Sequence, residues 1–496
     1  MPGKSAWIVA FILAILFASM SGTRLHSPNW QGSSAVAGTP EITIPVDGAP
    51  SGLTFDPIND YLYVNAANLF STNISVINTT TNRIVTLVPL PTLSVGPLAT
   101  DGSTGVVYVG DYSSTVYAIT PTDNRIGWTV PLLSGCPNGC VPNVQVYDSE
   151  NGDVYVTSSI TNNVSVIHGK TFVTSIPVGQ APNGAAYDST NGEVFVSNEG
   201  STIPANLTVI DGTTNRVVGQ VYPSGNGPGV AYDSSNGDVY TCTNGLGDFS
   251  NVVTVANGTT DAVVASIPVN GACGGAVYDT DNDYVYITNE ALSQLAYLSN
   301  VTLIDPDTNR VVLTQPVELG PDPIVYDPAN HNVYVGNSVS DSISILPQIY
   351  RLAVRETGLP RGTNWSVTVN GTTLSTATSM ITFPETNGSF DYEVPIVTLP
   401  AATTGMTTNY TATVSRGTVS VVGGPQIFSI TFSNKRGGGG SSPGLFGLSG
   451  MTGYYVLGGS VGLILVGTVF ALARRRRRGG QHAGLPIEQD ATRGTG

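Results

Sequence analysis

The groups able to do acid–base or covalent chemistry are few in this chain of 496 residues: four histidines, four cysteines, and 34 acids against 19 basic residues. A catalytic centre needs titratable side chains that converge. His26 and His482 lie near the two ends of the chain, while His168 and His331 fall in turns of different repeats described below. No histidine spacing here suits a copper or haem site, and the metalloprotease, nucleophile-elbow and P-loop patterns do not occur. The acids are the remaining candidates. Asp111, Glu199, Asp248, Glu290 and Asp341 each follow a strand-like run, and Asp322 stands just before one. Six carboxylates on one rim would offer the oxygen-rich set that Ca²⁺ takes; the competing expectation is ordinary solvated loop acids. Ca²⁺ is the candidate ion, and no other cofactor is indicated.

The four cysteines suit an oxidising exterior. Pairing Cys136 with Cys140 and Cys242 with Cys273 is one of three connectivities. A C-x3-C redox or zinc site is the alternative, without the further His or Cys that such a site wants. Ten glycosylation sequons occur, at Asn73, Asn78, Asn163, Asn206, Asn257, Asn300, Asn364, Asn370, Asn387 and Asn409.

The candidate acids, the cysteines and the sequons all lie between two segments that predict a membrane topology. Lys4, the apolar run Ala6 to Phe17 and the small residues up to Gly22 have the parts of a secretory signal. Tyr454 to Ala473 is free of charge, long enough to cross a bilayer as a helix, and followed at once by Arg474 to Arg478. The arginines place the tail in the cytoplasm and everything before the span outside. With the six tail arginines, the two tail acids and Lys4 set aside, 12 basic and 32 acidic residues remain outside, a net of −20. That charge excludes nucleic acid as a partner. It leaves the membrane, a surface protein or a glycan. The outer part is read as monomeric, with Gly458 and Gly462 as a GxxxG pair in the span. Charged residues make up only 11% of the chain and lysine occurs only at Lys4, Lys170 and Lys435, so less stability than usual is tied to carboxylate ionisation.

The elements that position these residues are strands in a repeat. An aromatic-Asp pair recurs at Phe55-Asp56, Tyr147-Asp148, Tyr187-Asp188, Tyr232-Asp233, Tyr278-Asp279 and Tyr326-Asp327, with a degenerate copy at Thr100-Asp101. The aspartates are 45, 47, 40, 45, 46 and 48 residues apart. Each is followed by a run of one pattern, as in Tyr63-Val64, Tyr108-Val109 and Tyr334-Val335. A period of this length built from short β-runs predicts propeller blades. Each aspartate is expected to cap its own turn. The seventh repeat lacks an outer strand, and Glu41 to Val46 is expected to supply it and close the ring.

The stretch Asn163-Val-Ser-Val-Ile167, Thr174-Ser-Ile-Pro-Val-Gly179, Tyr187-Asp188 and Val194-Phe-Val-Ser-Asn198 resembles the YVTN-family β-propeller repeat. The tetrapeptide is approximated at Tyr286-Ile-Thr-Asn289 and, with Cys242 inserted, over Tyr240 to Asn244. This resemblance implies a seven-bladed extracytoplasmic propeller and no single activity. Beyond it, Glu356-Thr-Gly-Leu-Pro-Arg-Gly-Thr363 and Trp365 lie in a segment that resembles an Ig-like module of archaeal cell-surface proteins, with Trp365 as a core anchor.

The fold expected is therefore all-β: a seven-bladed β-propeller closed by an N-terminal strand, a small Ig-like β-sandwich and one C-terminal transmembrane helix. The domains run 1–22 signal, 23–40 linker, 41–348 propeller, 349–434 sandwich, 435–450 Gly/Ser linker, 451–473 membrane helix and 474–496 cytoplasmic tail. The expected role is a membrane-anchored surface protein for binding, adhesion or envelope structure. The alternative is a propeller enzyme, a lactonase, lyase or quinoprotein-like dehydrogenase, acting at the channel face.

Overall fold

The computed structural model describes residues 42–67, 72–92, 95–132, 142–200, 205–222, 227–243, 251–293, 296–400 and 407–434. The signal, the Gly/Ser linker, the membrane helix and the tail lie outside them, as do Cys136, Cys140 and Asp248. Among the described residues no helix is long and apolar enough to cross a membrane.

Seven four-stranded antiparallel sheets form blades 1 to 7. Their inner strands are Ala49–Asp56, Val95–Thr100, Pro142–Tyr147, Pro182–Asp188, Val230–Asp233, Ala272–Asp279 and Pro321–Asp327. Each packs on the next, and the last packs on the first, so the sheets close a ring. Space is least on these strands, and glycine is used where two of them meet. A Cβ on Gly184 would lie 2.1 Å from the Pro228 carbonyl of the next blade, and one on Gly275 would lie 2.3 Å from the Asp322 carbonyl.

The N-terminal strand Ile42–Pro45 completes blade 7. It pairs antiparallel with Ser342–Leu346, Ile42 opposite Ile345 and Pro45 opposite Ser342, and the Val46 N–H extends the ladder to the Asp341 carbonyl. In blades 1 to 6 the outer strand pairs with a register shift near the turn. The strand borrowed from the N-terminus pairs without one, because no turn joins it to its neighbour.

The recurrent residues have separate structural tasks. All seven repeat aspartates accept a hydrogen bond from the backbone N–H two residues on, at 2.7–2.9 Å, which fixes the first turn of each blade. The second-strand tyrosine clasps the neighbouring blade. Tyr63, Tyr155, Tyr240 and Tyr334 donate to Oδ1 of Asn124, Asn215, Asn309 and Asn82. Those asparagines hold left-handed backbone with φ of 51–55° at the last turn of the next blade, a conformation asparagine tolerates well. At the far end of the second strand, Asn198, Asn289 and Asn337 donate through Nδ2 to hydroxyls of the third strand, namely Thr208, Thr302 and the pair Ser342 and Ser344. The first and last positions of the tetrapeptide thus tie a strand to the next blade and to its own neighbour.

Residues after Leu346 form two further sheets around one core. One sheet has the order Met380–Glu385, Tyr350–Thr357, Gln426–Asn434, Thr407–Ala412, Val397–Pro400; the other has Thr372–Thr376, Trp365–Val369, Gly388–Glu393, Arg416–Val421. Trp365 is buried between them, donates Nε1–H to the Thr378 carbonyl at 2.7 Å and meets Phe432 edge to face. The module is tied to blade 6. Asn282 donates to the Ile349 carbonyl at 2.8 Å, and Arg351 is set among Asp283, Asp305 and Asp307 beside the Tyr284 ring.

Candidate functional site

Five of the six sequence-selected acids are among the described residues, and these five are not gathered into one metal-binding cluster; Asp248 lies outside them. Asp111 is the last residue of strand Val107–Asp111, fully buried, and its carboxylate accepts from Ser113 N–H and hydroxyl, Thr115 N–H and Tyr117 OH. It caps a hairpin and offers no face to a cation. Glu290 lies within the ten-residue strand Tyr284–Ser293 rather than in a loop after it, because blade 6 extends its central hairpin to Ser293 and Ala296. Asp322 belongs to the inner strand Pro321–Asp327; burial raises its pKa, and the charge of Glu290 adds to the shift. Asp341 is a left-handed turn residue with φ 49°, and Glu199 is exposed after its strand. Among the described residues no three His, Cys, Asp or Glu side chains are placed to hold one metal ion.

The two central histidines are each paired with an acid. His168 Nδ1 lies 2.9 Å from Asp153, and His331 Nδ1 meets Asp281. Both His residues are well exposed, and neither shares a site with the other. Cys242 and Cys273 form a disulfide with Cα atoms 5.6 Å apart, joining the second strand of blade 5 to the inner strand of blade 6. In the chain-entropy account a ring of this size contributes roughly 3.5 kcal/mol.

The sequons divide by module. Asn163, Asn206 and Asn300 are buried at 7, 8 and 6% exposure, and the Oδ1 atoms of Asn206 and Asn300 accept from Asn198 and Asn289. Asn73, Asn78 and Asn257 are half-buried, and Asn78 and Asn257 hold the turn hydroxyls of Thr81 and Thr260. Asn364, Asn370, Asn387 and Asn409, all in the second module, are exposed.

A feature that sequence reasoning passed over lies where the inner strands end. There the repeat aromatic of one blade reaches toward the first turn of the blade before it. Tyr147 OH is 3.5 Å from Ser103 Oγ, Tyr232 donates to Thr190 Oγ1 at 2.5 Å, and Tyr326 donates to Asp281. Burial, aided by neighbouring carboxylates, raises the pKa of all three phenols. Phe55 has no hydroxyl to continue this ring and Thr100 has no aromatic group. A cavity of ≈ 340 Å³ opens at that place, lined by residues of blades 7, 1, 2 and 3 that include Thr54, Phe55, Thr100, Ser103, Tyr147 and Tyr326. The degenerate Thr100-Asp101 copy was the visible signal; its meaning needed the ring.

No protein-family model matches the chain, and no curated protein matches it in sequence. Among solved structures, a chain of the hydrazine synthase of Kuenenia stuttgartiensis is similar, with a TM-score of 0.54 and 17% identity, covering 63% of this chain and 99% of that one. At this identity the similarity concerns the fold, a seven-bladed propeller-like ring of four-stranded sheets.

Proposed function

We propose that the chain is a membrane-anchored, outward-facing binding protein of the YVTN type: a propeller carried by an Ig-like sandwich and one C-terminal helix, serving recognition or adhesion rather than catalysis. The observation that carries this reading is the chemistry of the channel-end cavity. It is lined by uncharged residues, hydroxyl and aromatic side chains together with the apolar Pro57, Val325 and Pro328, a composition that suits recognition. An acid–base mechanism would need titratable groups facing the same space. The charge-free span before Arg474 to Arg478 supports the anchoring.

Brief protease treatment of intact cells that make the protein tests it. Release of the propeller and sandwich from the cell surface, with a short fragment kept in the membrane, is expected. Complete protection of the chain, or its recovery in the soluble fraction of broken cells, would reject the reading.

Export also exposes the sequons to glycosylation, and burial decides which are usable. Glycopeptide mass spectrometry is expected to find sugar on Asn364, Asn370, Asn387 or Asn409 and none on Asn163, Asn206 or Asn300. A glycan on Asn206 or Asn300 would contradict the internal amide network assigned to them.

A further inference from the structure

Five blades carry a tyrosine at the aromatic position of the aromatic-Asp pair, and the two that do not are neighbours, with Phe55 in blade 1 and Thr100 in blade 2. Thr100 leaves open the volume a further ring would take, and its hydroxyl meets that of Thr54 at 2.8 Å. The cavity lies at this break, with Tyr147 and Tyr326 among its walls. Its size falls within the ~300–1,000 Å³ typical of small-molecule pockets.

No acid or base lines the cavity itself, although two carboxylates hydrogen-bond its walls: Asp101 accepts from Ser103, and Asp281, 40% exposed, accepts from Tyr326. Asp56, Asp148 and Asp327 adjoin lining residues in sequence, yet all three are buried at 0–1% and turned into their own turns. The Asp101 carboxylate is held by Ser103 and Thr104, whose hydroxyls and N–H groups all donate to it. An anion entering this space would lose hydration without gaining a counter-charge, and it would meet the net negative field of the propeller. The combination of hydroxyls with aromatic faces suits a ligand that carries hydroxyls on its edge and C–H groups on its faces.

We propose that this cavity binds a neutral saccharide, one or two pyranose units, with a ring face against Tyr147 and hydroxyls meeting Thr100 and Ser103. The proposal rests on reading the chain as a binding protein and specifies what it binds. Isothermal titration calorimetry of the purified full-length chain with maltose, cellobiose and lactose tests it, with digalacturonic acid as the charged counterpart. At least one neutral disaccharide is expected to bind saturably and roughly tenfold or more tighter than digalacturonic acid. Thr100→Tyr, which restores the residue of the other blades, is expected to abolish that binding while preserving the melting temperature. Thr100→Val, which removes only the hydroxyl, is expected to weaken it several-fold and carries the test if the tyrosine variant fails to fold.

Three results would overturn the proposal: no binding of any of the three sugars, equal binding of digalacturonic acid, or undiminished affinity in the Thr100 variants. Surface display is read by protease release without any sugar. A displayed chain that binds none of the probes would therefore sink this proposal and leave the anchored reading standing.

Discussion

Deleting residues 23–46 is expected to lower the stability of the propeller by about 3–6 kcal/mol and to make it prone to aggregate. Ile44 and Val46 are 5% and 8% exposed and pack with Leu53, Leu62, Ile343 and Ile345 between blades 7 and 1. Burying each such side chain contributes about 1.5–3 kcal/mol, and the ladder to Ser342–Leu346 is lost with them. What remains is an unpaired edge on strand Ser342–Leu346, the kind of edge that recruits other chains. Ile42 is the internal control, since it sits on the same strand at 55% exposure. Ile42→Ala should leave the melting temperature nearly unchanged while Ile44→Ala lowers it. Equal melting temperatures for the shortened and complete chains would mean that the ring does not depend on its N-terminal closure.

That closure was readable because the repeat supplies its own ruler. Once seven aspartates are spaced by about one blade length, a missing outer strand at one end and an orphan strand at the other are two parts of one observation. The turn role of the aspartates was equally legible, since it depends on atoms two residues apart. Asp111 was not. It occupies the same place after a strand as the exposed Glu199, and its burial is decided by Tyr117 and by Ser113 folding back over it. Glu290 misled for a related reason: the extended hairpin through Leu292 and Tyr297 has no counterpart in the other repeats, so the period gave no warning. In the second module Trp365 announced the core, but the strand Thr372–Thr376 has Leu374 as its single apolar residue and carries no alternation to read. The cavity depends on comparing residues some 45 positions apart around a circle. Phe55 and Thr100 stand in consecutive repeats, but only the closed ring brings Tyr326 of blade 7 beside them.

Mild acid is expected to stabilise this protein. Asp279 in blade 6 is 2% exposed; burial raises its pKa to about 6, with the nearby Asp281 charge adding to the shift against the hydrogen bonds from Asp281 and Asn282 N–H. Burial is also the leading cause of the raised values at Asp305, Asp327 and Glu385, all nearly or fully buried. A carboxyl whose pKa is higher in the folded chain binds more protons there than in the unfolded chain. Stability therefore rises as pH falls from 7 toward the unfolded value near 4 and levels off below it. Asp101 runs the other way: burial opposes its ionisation, but hydrogen bonds from Thr104, Ser103 and Tyr147 lower its pKa overall, so its contribution is lost only in stronger acid. For Asp279 alone the gain between pH 7 and 5 is about 1 kcal/mol. The melting temperature should accordingly be higher at pH 5 than at pH 7. Asp279→Asn keeps an acceptor for the two turn N–H groups and removes the charge. It should stabilise the fold at pH 7 by about 1–3 kcal/mol and flatten the pH profile. A melting temperature that falls steadily from pH 7 to 5, or an Asp279→Asn variant less stable at pH 7 than the parent, would show that the buried carboxylates are stabilising as anions.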